Sequence, residues 1–238
     1  MPGILPHATF AELVRKAVLK QLWRKLIRFD IHASTTLFAL FRTLQHPDFL
    51  AGNLIPDLAT DKKASHYRIS ASVDGFLVPD MEKVKNDLFF PDTPVKLGCF
   101  CHLWLDYHFI EELLIPSFIW DANNNTVINP RNQKTWNPTV FFSQDGLYGA
   151  YTEMNQLMIR SGHVPLVKMD KLPDLLPPTG LTVFDTRKEV TWRQELNAYL
   201  NTNKKYTGDV FEYEYFWNCI ETLSSKFVEE ICTSLHCW

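Results

Sequence analysis

No stretch of this 238-residue chain is apolar for long enough to span a bilayer, so nothing in it reads as a transmembrane helix. It has no Gly-rich loop of the kind that cradles phosphates and no Gly-x-Ser-x-Gly elbow. P-loop nucleotide chemistry and serine-nucleophile chemistry of that type therefore have no motif to stand on. Cysteine is scarce and unpaired in pattern. Cys99, Cys101, Cys219, Cys232 and Cys237 are odd in number, and none shows the spacing of a zinc knuckle. Residues 1–7 lack the charged head and apolar stretch of a secretory signal, so the expectation is a cytoplasmic protein with reduced thiols. A net charge of −3 supplies no global attraction to nucleic acid.

What is present is bulk. Hydrophobic residues make up 46% of the chain and include 17 Phe and seven Trp, enough for a substantial core. Apolar residues at helical spacing predict helices over residues 9–28, 33–44 and 48–58. Thr9 with Glu12 fits a capping box for the first, and His46-Pro47 ends the second. Residues 60–65 read as loop, and 70–80 as irregular. Pro94 suits the first turn of a long apolar helix that can run to Leu114. Helices are expected again at 146–159, 188–200 and 210–235. The expected architecture is all-α, a single helical domain over 1–238. In it, 1–115 would carry the site, 116–145 form a long ordered loop, and 146–238 supply C-terminal helices.

One motif stands out within Lys96-Leu97-Gly98-Cys99-Phe100-Cys101-His102-Leu103-Trp104-Leu105-Asp106-Tyr107-His108. His102 and Asp106 stand one turn apart on a helix, inside an otherwise apolar run. Burying an imidazole beside a carboxylate is costly unless something satisfies both. A divalent metal does so, because neutral imidazole and carboxylate are both ligands for zinc. The bland alternative is a hydrogen-bonded His–Asp pair tying helices together. His7, Asp57 and His66 add two more imidazoles and a second carboxylate. Such a mixed set suits one zinc, or two metals bridged by a carboxylate, and would accommodate manganese or ferrous iron.

Taken in order, the His of Met1-Pro2-Gly3-Ile4-Leu5-Pro6-His7, then Gly52-Asn53-Leu54-Ile55-Pro56-Asp57, Ser65-His66 and His102-x-x-x-Asp106 resemble the bacterial zinc-dependent phospholipase C-like family. Its relatives include secreted phospholipases C and helical P1-type nucleases, all-α enzymes that hydrolyse phosphate esters with zinc. The resemblance covers roughly the first 110 residues. It implies that Asp57, His66, His102 and Asp106 hold one zinc, and that Asp106 bridges to a second metal held by His7. It also implies Asp57 as a candidate general base for the water that attacks phosphorus. The second His-x-x-x-acid pair that completes a third zinc site in those enzymes is not expected here. His108 falls about 200° around the helix from Asp106, and nothing in the spacing of Glu112 or Glu153 selects either as a substitute. A mononuclear or dinuclear site is the expectation, acting on a small phosphoester or phospholipid.

A non-catalytic helical module that binds metal or a partner is the alternative from another class. An HD-type phosphohydrolase is disfavoured, since the chain has no adjacent His-Asp. Lys16, Lys20, Arg24 and Arg28 form a basic stripe at steps of four, with Trp23 nearby. Peripheral contact with an anionic membrane is one reading of it. The solvated face of an amphipathic helix is the other and is preferred. The Gly- and Tyr-rich stretch 146–155 reads as a helix–helix contact or a pocket wall. His32 and His46 read as helix-boundary residues, and the Asn124-x-Thr126 triplet is glycosylation-like only for an exported chain.

Overall fold

In the computed structural model, residues 3–71, 76–88, 93–121, 123, 125–186, 192–202 and 207–234 are described. Cys237, His236 and Asn124 lie outside them, as do residues 188–191 of the helix expected at 188–200. The first helix, α1 (Ile4–Ile27), begins five residues earlier than its expected start. Pro6 lies in its first turn, where a missing N–H costs nothing. Thr9 is therefore no cap but a buried interior residue, and Glu12 pairs instead with Arg15 and with Lys168. Three residues turn the chain into α2 (Ile31–Gln45), whose N-cap Asp30 accepts from the Ala33 N–H. The two helices pack as a hairpin.

His46 closes α2 and caps α3 (Pro47–Gly52), as its boundary reading anticipated. The single helix expected at 48–58 is broken, with a separate turn at α4 (Ile55–Leu58) ahead of α5 (Lys62–Ser65). A short hairpin of β1 (Arg68–Ser70) and β2 (Leu77–Pro79) follows where irregular chain was expected. After α6 (Met81–Leu88) comes α7 (Pro94–His108), started by Pro94 and buried along nearly its whole length. The chain stays helical to Leu114 as expected, but rewinds as a π-helix over Phe109–Leu114 and a 3-10 turn over Ile115–Ser117. Such π segments are rare and recur beside functional sites.

Two glycines decide how α3 meets α7. A Cβ on Gly52 would stand 2.9 Å from Gly98 Cα, and one on Gly98 2.7 Å from Gly52 Cα. Each would come closer still to a carbonyl oxygen, of Val95 and Phe49 respectively. The helices thus touch backbone to backbone, and no other residue pair would fit.

The stretch read as ordered loop holds a small antiparallel sheet, β3 (Ile119–Asp121), β4 (Thr126–Ile128) and β5 (Thr135–Trp136), in that order. Its Asn- and Pro-rich turns hide the strands from a periodicity reading, and aromatic packing holds them. Phe118 and Trp120 lie 4.9 and 5.3 Å from Phe141 in edge-to-face contacts. Phe141 belongs to α8 (Pro138–Phe141), which is followed by α9 (Leu147–Arg160) and α10 (Leu166–Met169). The Thr182–Phe184 3-10 turn, α11 (Trp192–Asn201) and α12 (Tyr213–Ser234) complete a mostly helical fold. Phe227 of α12 packs on both Phe10 of α1 and Trp104 of α7, at 5.8 and 5.1 Å. Trp104 Nε1 also donates to Glu230 at 2.8 Å. Three helices are thereby locked together next to the residues that matter below. Cys99, Cys101, Cys219 and Cys232 are free thiols.

Candidate metal centre

His102 and Asp106 do share one buried face of α7, and the other three candidates come to them. His7, placed before the first helix by its sequence, lies within the first turn of α1 and is fully buried. Asp57 sits on the short α4, and His66 follows α5. All five side chains converge from four segments. His66, His102 and Asp106 form one group of close ligand atoms, and His7, Asp57 and His102 a second that shares His102.

The geometry carries a chemical constraint. His102 Nδ1 donates to the Asn53 carbonyl at 2.8 Å, and His66 Nδ1 donates to the Lys62 carbonyl at 2.9 Å. Ser65 steadies the second ring, its hydroxyl donating to the Pro56 carbonyl and accepting from His66 Nδ1. Carbonyl oxygens only accept, so the proton of each ring sits on Nδ1 and each Nε2 faces inward. Those two Nε2 atoms are 3.4 Å apart. They lie 3.6 and 3.5 Å from Asp106 Oδ2. Two inward lone pairs repel, and so do two inward protons; a single proton shared between the rings relieves this, and a cation between them does so while also meeting the carboxylate. For bonds of about 2.0–2.1 Å to a tetrahedral zinc, neighbouring ligand atoms stand about 3.3–3.4 Å apart. The observed triangle is close to that size.

The remaining two ligands extend the same cluster. His7 Nε2 is 3.3 Å from Asp106 Oδ1, and its ring stacks on His102 at 3.5 Å. Asp57 Oδ1 is 3.6 Å from His66 Nε2. His7 and Asp57 thus form, with His102, the second group of close ligand atoms, and His7 meets the Asp106 oxygen that the first group does not use. Orphaned polar atoms concentrate here. Both nitrogens of His7, both oxygens of Asp106 and Asp57 Oδ2 are buried without a hydrogen-bond partner. Interiors leave few such atoms, and each needs a reason. A bound ion would supply it, so these buried His and Asp groups can hold a metal.

Their electrostatics agree. Burial pushes the Asp106 carboxyl up, but His7 and His102 outweigh it and hold it well below the usual carboxylate range. Asp57 is likewise held down against burial, by His66, His102 and His7. Burial pulls His102 down, yet Asp106, Asp57 and the Asn53 carbonyl hold it above its ordinary value. His7 is lowered by burial and by the nearby His102. Without an ion, the two carboxylates favour a proton on His102. A metal takes that proton's place.

The other sequence candidates lie elsewhere. A second pair with His-x-x-x-acid spacing does follow Asp106, against expectation: His108 and Glu112 are paired. They turn away from the cluster, however, with His108 against Trp104 and Glu112 bound to Lys226 of α12. Glu153 is buried but accepts from the backbone N–H and hydroxyl of Thr207. Neither glutamate substitutes for a ligand. Asn53, Lys62 and Ser65 orient the imidazoles but are not legible in the sequence, since two of them act through backbone carbonyls that no side chain advertises. Gly98, one turn before His102, was the available signal: a glycine inside a helix marks a close approach.

The Gly- and Tyr-rich stretch forms both a helix contact and a pocket wall. Arg68, Ile110, Tyr148 and Tyr151 line a cavity of about 130 Å³. Arg68 follows His66 by two residues and Ile110 follows Asp106 by four, so the cavity shares two segments with the ligands. Tyr151 is buried with an unpartnered hydroxyl, and burial, then the Asp106 charge, raise its pKa.

Fold and site together define a mostly helical protein with a buried three-His, two-Asp cluster of metal-ligand type. Comparison with protein-family models, with curated proteins and with solved structures returns no match.

Proposed function

We propose that the chain is a metal-dependent hydrolase of phosphate esters, phospholipase C-like in its ligand set, with zinc as its metal. The observation that carries the reading is the inward-facing pair of imidazole Nε2 atoms, fixed by the Asn53 and Lys62 carbonyls and closed by Asp106. The donor set has no cysteine and so resembles catalytic rather than closed structural zinc sites. The order His7, Asp57, His66, His102, Asp106 is also the order that the family resemblance implies. When bound, the metal would lower the pKa of a water and offset charge on the phosphoryl oxygens.

The chain's own residues divide the remaining work. Asp57 is the one ligand candidate that reaches the surface, at 8% exposure. Its carboxylate would orient an incoming water, and the family resemblance makes it the candidate base for that water's proton. Arg68, at the neighbouring cavity, offers a guanidinium to the phosphate of a substrate, and the apolar wall there suits an organic group attached to it. The near-complete burial of the cluster favours a second reading, in which the metal only ties α1, α4 and α7 together.

Metal analysis of purified protein, followed by release of p-nitrophenol from phosphate monoesters and diesters, separates the two. The hydrolase reading expects about one equivalent of zinc or a similar ion, with turnover. Asp57→Asn should lose about 100-fold or more in rate, with metal content measured alongside to separate a lost base from a lost ligand. Stoichiometric metal with no turnover on any ester would favour the structural role. Metal-free protein from a metal-replete preparation would remove both.

A further inference from the structure

The turn between α1 and α2 exposes what a folded chain ordinarily hides. Phe29 is 88% exposed, Ile31 79%, Ile27 74% and Trp23 59%. Leu26 and Phe38 are also exposed on these two helices. Scattered apolar side chains on a surface need no explanation, but a cluster of large ones at a single turn does.

The backbone makes the exposure of Phe29 more telling. The Phe29 N–H bonds to the Leu26 carbonyl and the Asp30 N–H to the Lys25 carbonyl, the paired bonds of a Schellman helix ending. The residue at its centre takes a left-handed conformation, and Phe29 has φ of 56°. Glycine is the ordinary occupant, and a side chain there costs conformational energy. Here a strained position presents a solvent-facing phenyl ring that makes no core contact. Neither stability nor solubility explains that choice.

Charge identifies the partner. Between residues 13 and 47 the chain has seven Lys or Arg and a single acid, Asp30, although acids outnumber bases over the whole chain, 27 to 24. Lys16, Lys20, Arg24 and Arg28 are exposed and make no ion pair among the described residues. Asp30 is already engaged by Lys25. A cationic stripe thus leads into an apolar tip that includes a Trp and a Phe. That combination matches an anionic lipid interface, where apolar rings enter the headgroup boundary and Lys and Arg meet the lipid charge. A second copy of this chain would bring the same cations face to face and is disfavoured by repulsion.

We propose that the α1–α2 turn is a membrane-docking tip that seats this protein on an anionic bilayer surface. The tip peripherally inserts Phe29, Ile27 and Ile31 and spans nothing; among the described residues, no helix is long and apolar enough to cross. This inference is independent of the metal centre, and the basic stripe belongs to it rather than being only a solvated face.

Co-sedimentation of the full chain with vesicles tests it. One set is phosphatidylcholine with about 30% phosphatidylserine, the other phosphatidylcholine alone. Binding to the anionic set is expected to be at least tenfold stronger and to fall as salt screens it. Phe29→Gly should weaken partitioning on the order of tenfold while leaving the fold at least as stable, because glycine suits the left-handed turn. Replacing Arg24 and Arg28, the two cations nearest the turn, by Gln should weaken it by about fivefold per charge, with a smaller effect from Lys20 and Lys16 farther up the helix. Equal binding to both vesicle sets, or unchanged binding by Phe29→Gly, overturns the proposal. So does a concentration-dependent dimer in light scattering that Phe29→Gly dissolves, which would make the tip a face between copies.

Discussion

The two ends of α1 break the ordinary rule of burial in opposite directions. At its N-terminal end the helix buries an imidazole completely, beside a carboxylate and under a second ring. At its C-terminal end it holds a Trp and two aliphatic side chains in solvent, with Phe29 exposed just beyond. In between, Val14, Val18 and Leu22 behave as core residues should. An exposed Leu or a buried Val says little about function; a buried His or a cluster of exposed rings says a great deal. One helix therefore joins a polar site in the interior to an apolar one on the surface, and each would be unfavourable without something to complete it: an ion at the first and an apolar medium at the second.

The sharpest way to break this comparison is to remove a ligand at the buried end. His102→Ala should abolish stoichiometric metal and cost about 3–5 kcal/mol, because it leaves buried carboxylates uncompensated. Read by thermal denaturation, that is a fall in Tm of about 10 °C. A normal Tm would mean that the cluster is not held together as described. At the exposed end Phe29→Gly should move stability the other way, raising Tm by a few degrees.

A smaller effect comes from the helix contact that positions the buried end. Gly98→Ala forces α3 off α7 at the point where Asn53 meets His102. About 1–3 kcal/mol of destabilisation is expected, with weakened metal retention although no ligand has changed. Metal content measured after dialysis checks this; full retention would show that the Asn53 carbonyl does not set the ring.

The smallest expected effect lies between the two ends. Glu12 is pushed up by burial, but Arg15 and Lys168 more than reverse this and leave its pKa below the ordinary value. A lowered folded pKa contributes stability above the unfolded pKa and loses it as pH falls through the folded one. Glu12→Gln should therefore cost about 1 kcal/mol near pH 7, with the difference shrinking below about pH 4. A pH-independent difference in denaturation midpoint would refute this assignment.

Much of the site was legible because its residues are misfits in their surroundings. His102 and Asp106 interrupt an apolar helix at a one-turn spacing, and that spacing survives in any helix long enough to contain both. His7 joins the cluster but lies inside the helix rather than before it, because the capping-box pattern of Thr9 and Glu12 competes with a helix start that carries no side-chain cap. The sheet at 119–136 was missed because its strands are two or three residues long and are held by aromatic packing from outside the strands. The basic stripe was legible as a stripe. Its apolar neighbours were not legible as exposed, because Ile27 and Phe29 look like core residues until one sees that nothing covers them.

By itself the sequence determined the helical content, the five ligand candidates and the segregation of positive charge, all of which follow from residue type and local spacing. The tertiary structure decided what those residues meet. Gly52 and Gly98 bring two backbones into contact, and that contact sets a carbonyl against His102 and turns its other nitrogen inward. The packing of Phe10, Trp104 and Phe227 carries His7 to Asp106 across more than ninety residues of chain. The end of the α1–α2 hairpin is left uncovered, so the same kind of apolar side chain that builds the core elsewhere faces outward there. Spacing along a chain specifies neighbours only within a helical turn or two; which distant surfaces touch, and which touch nothing, is settled by packing.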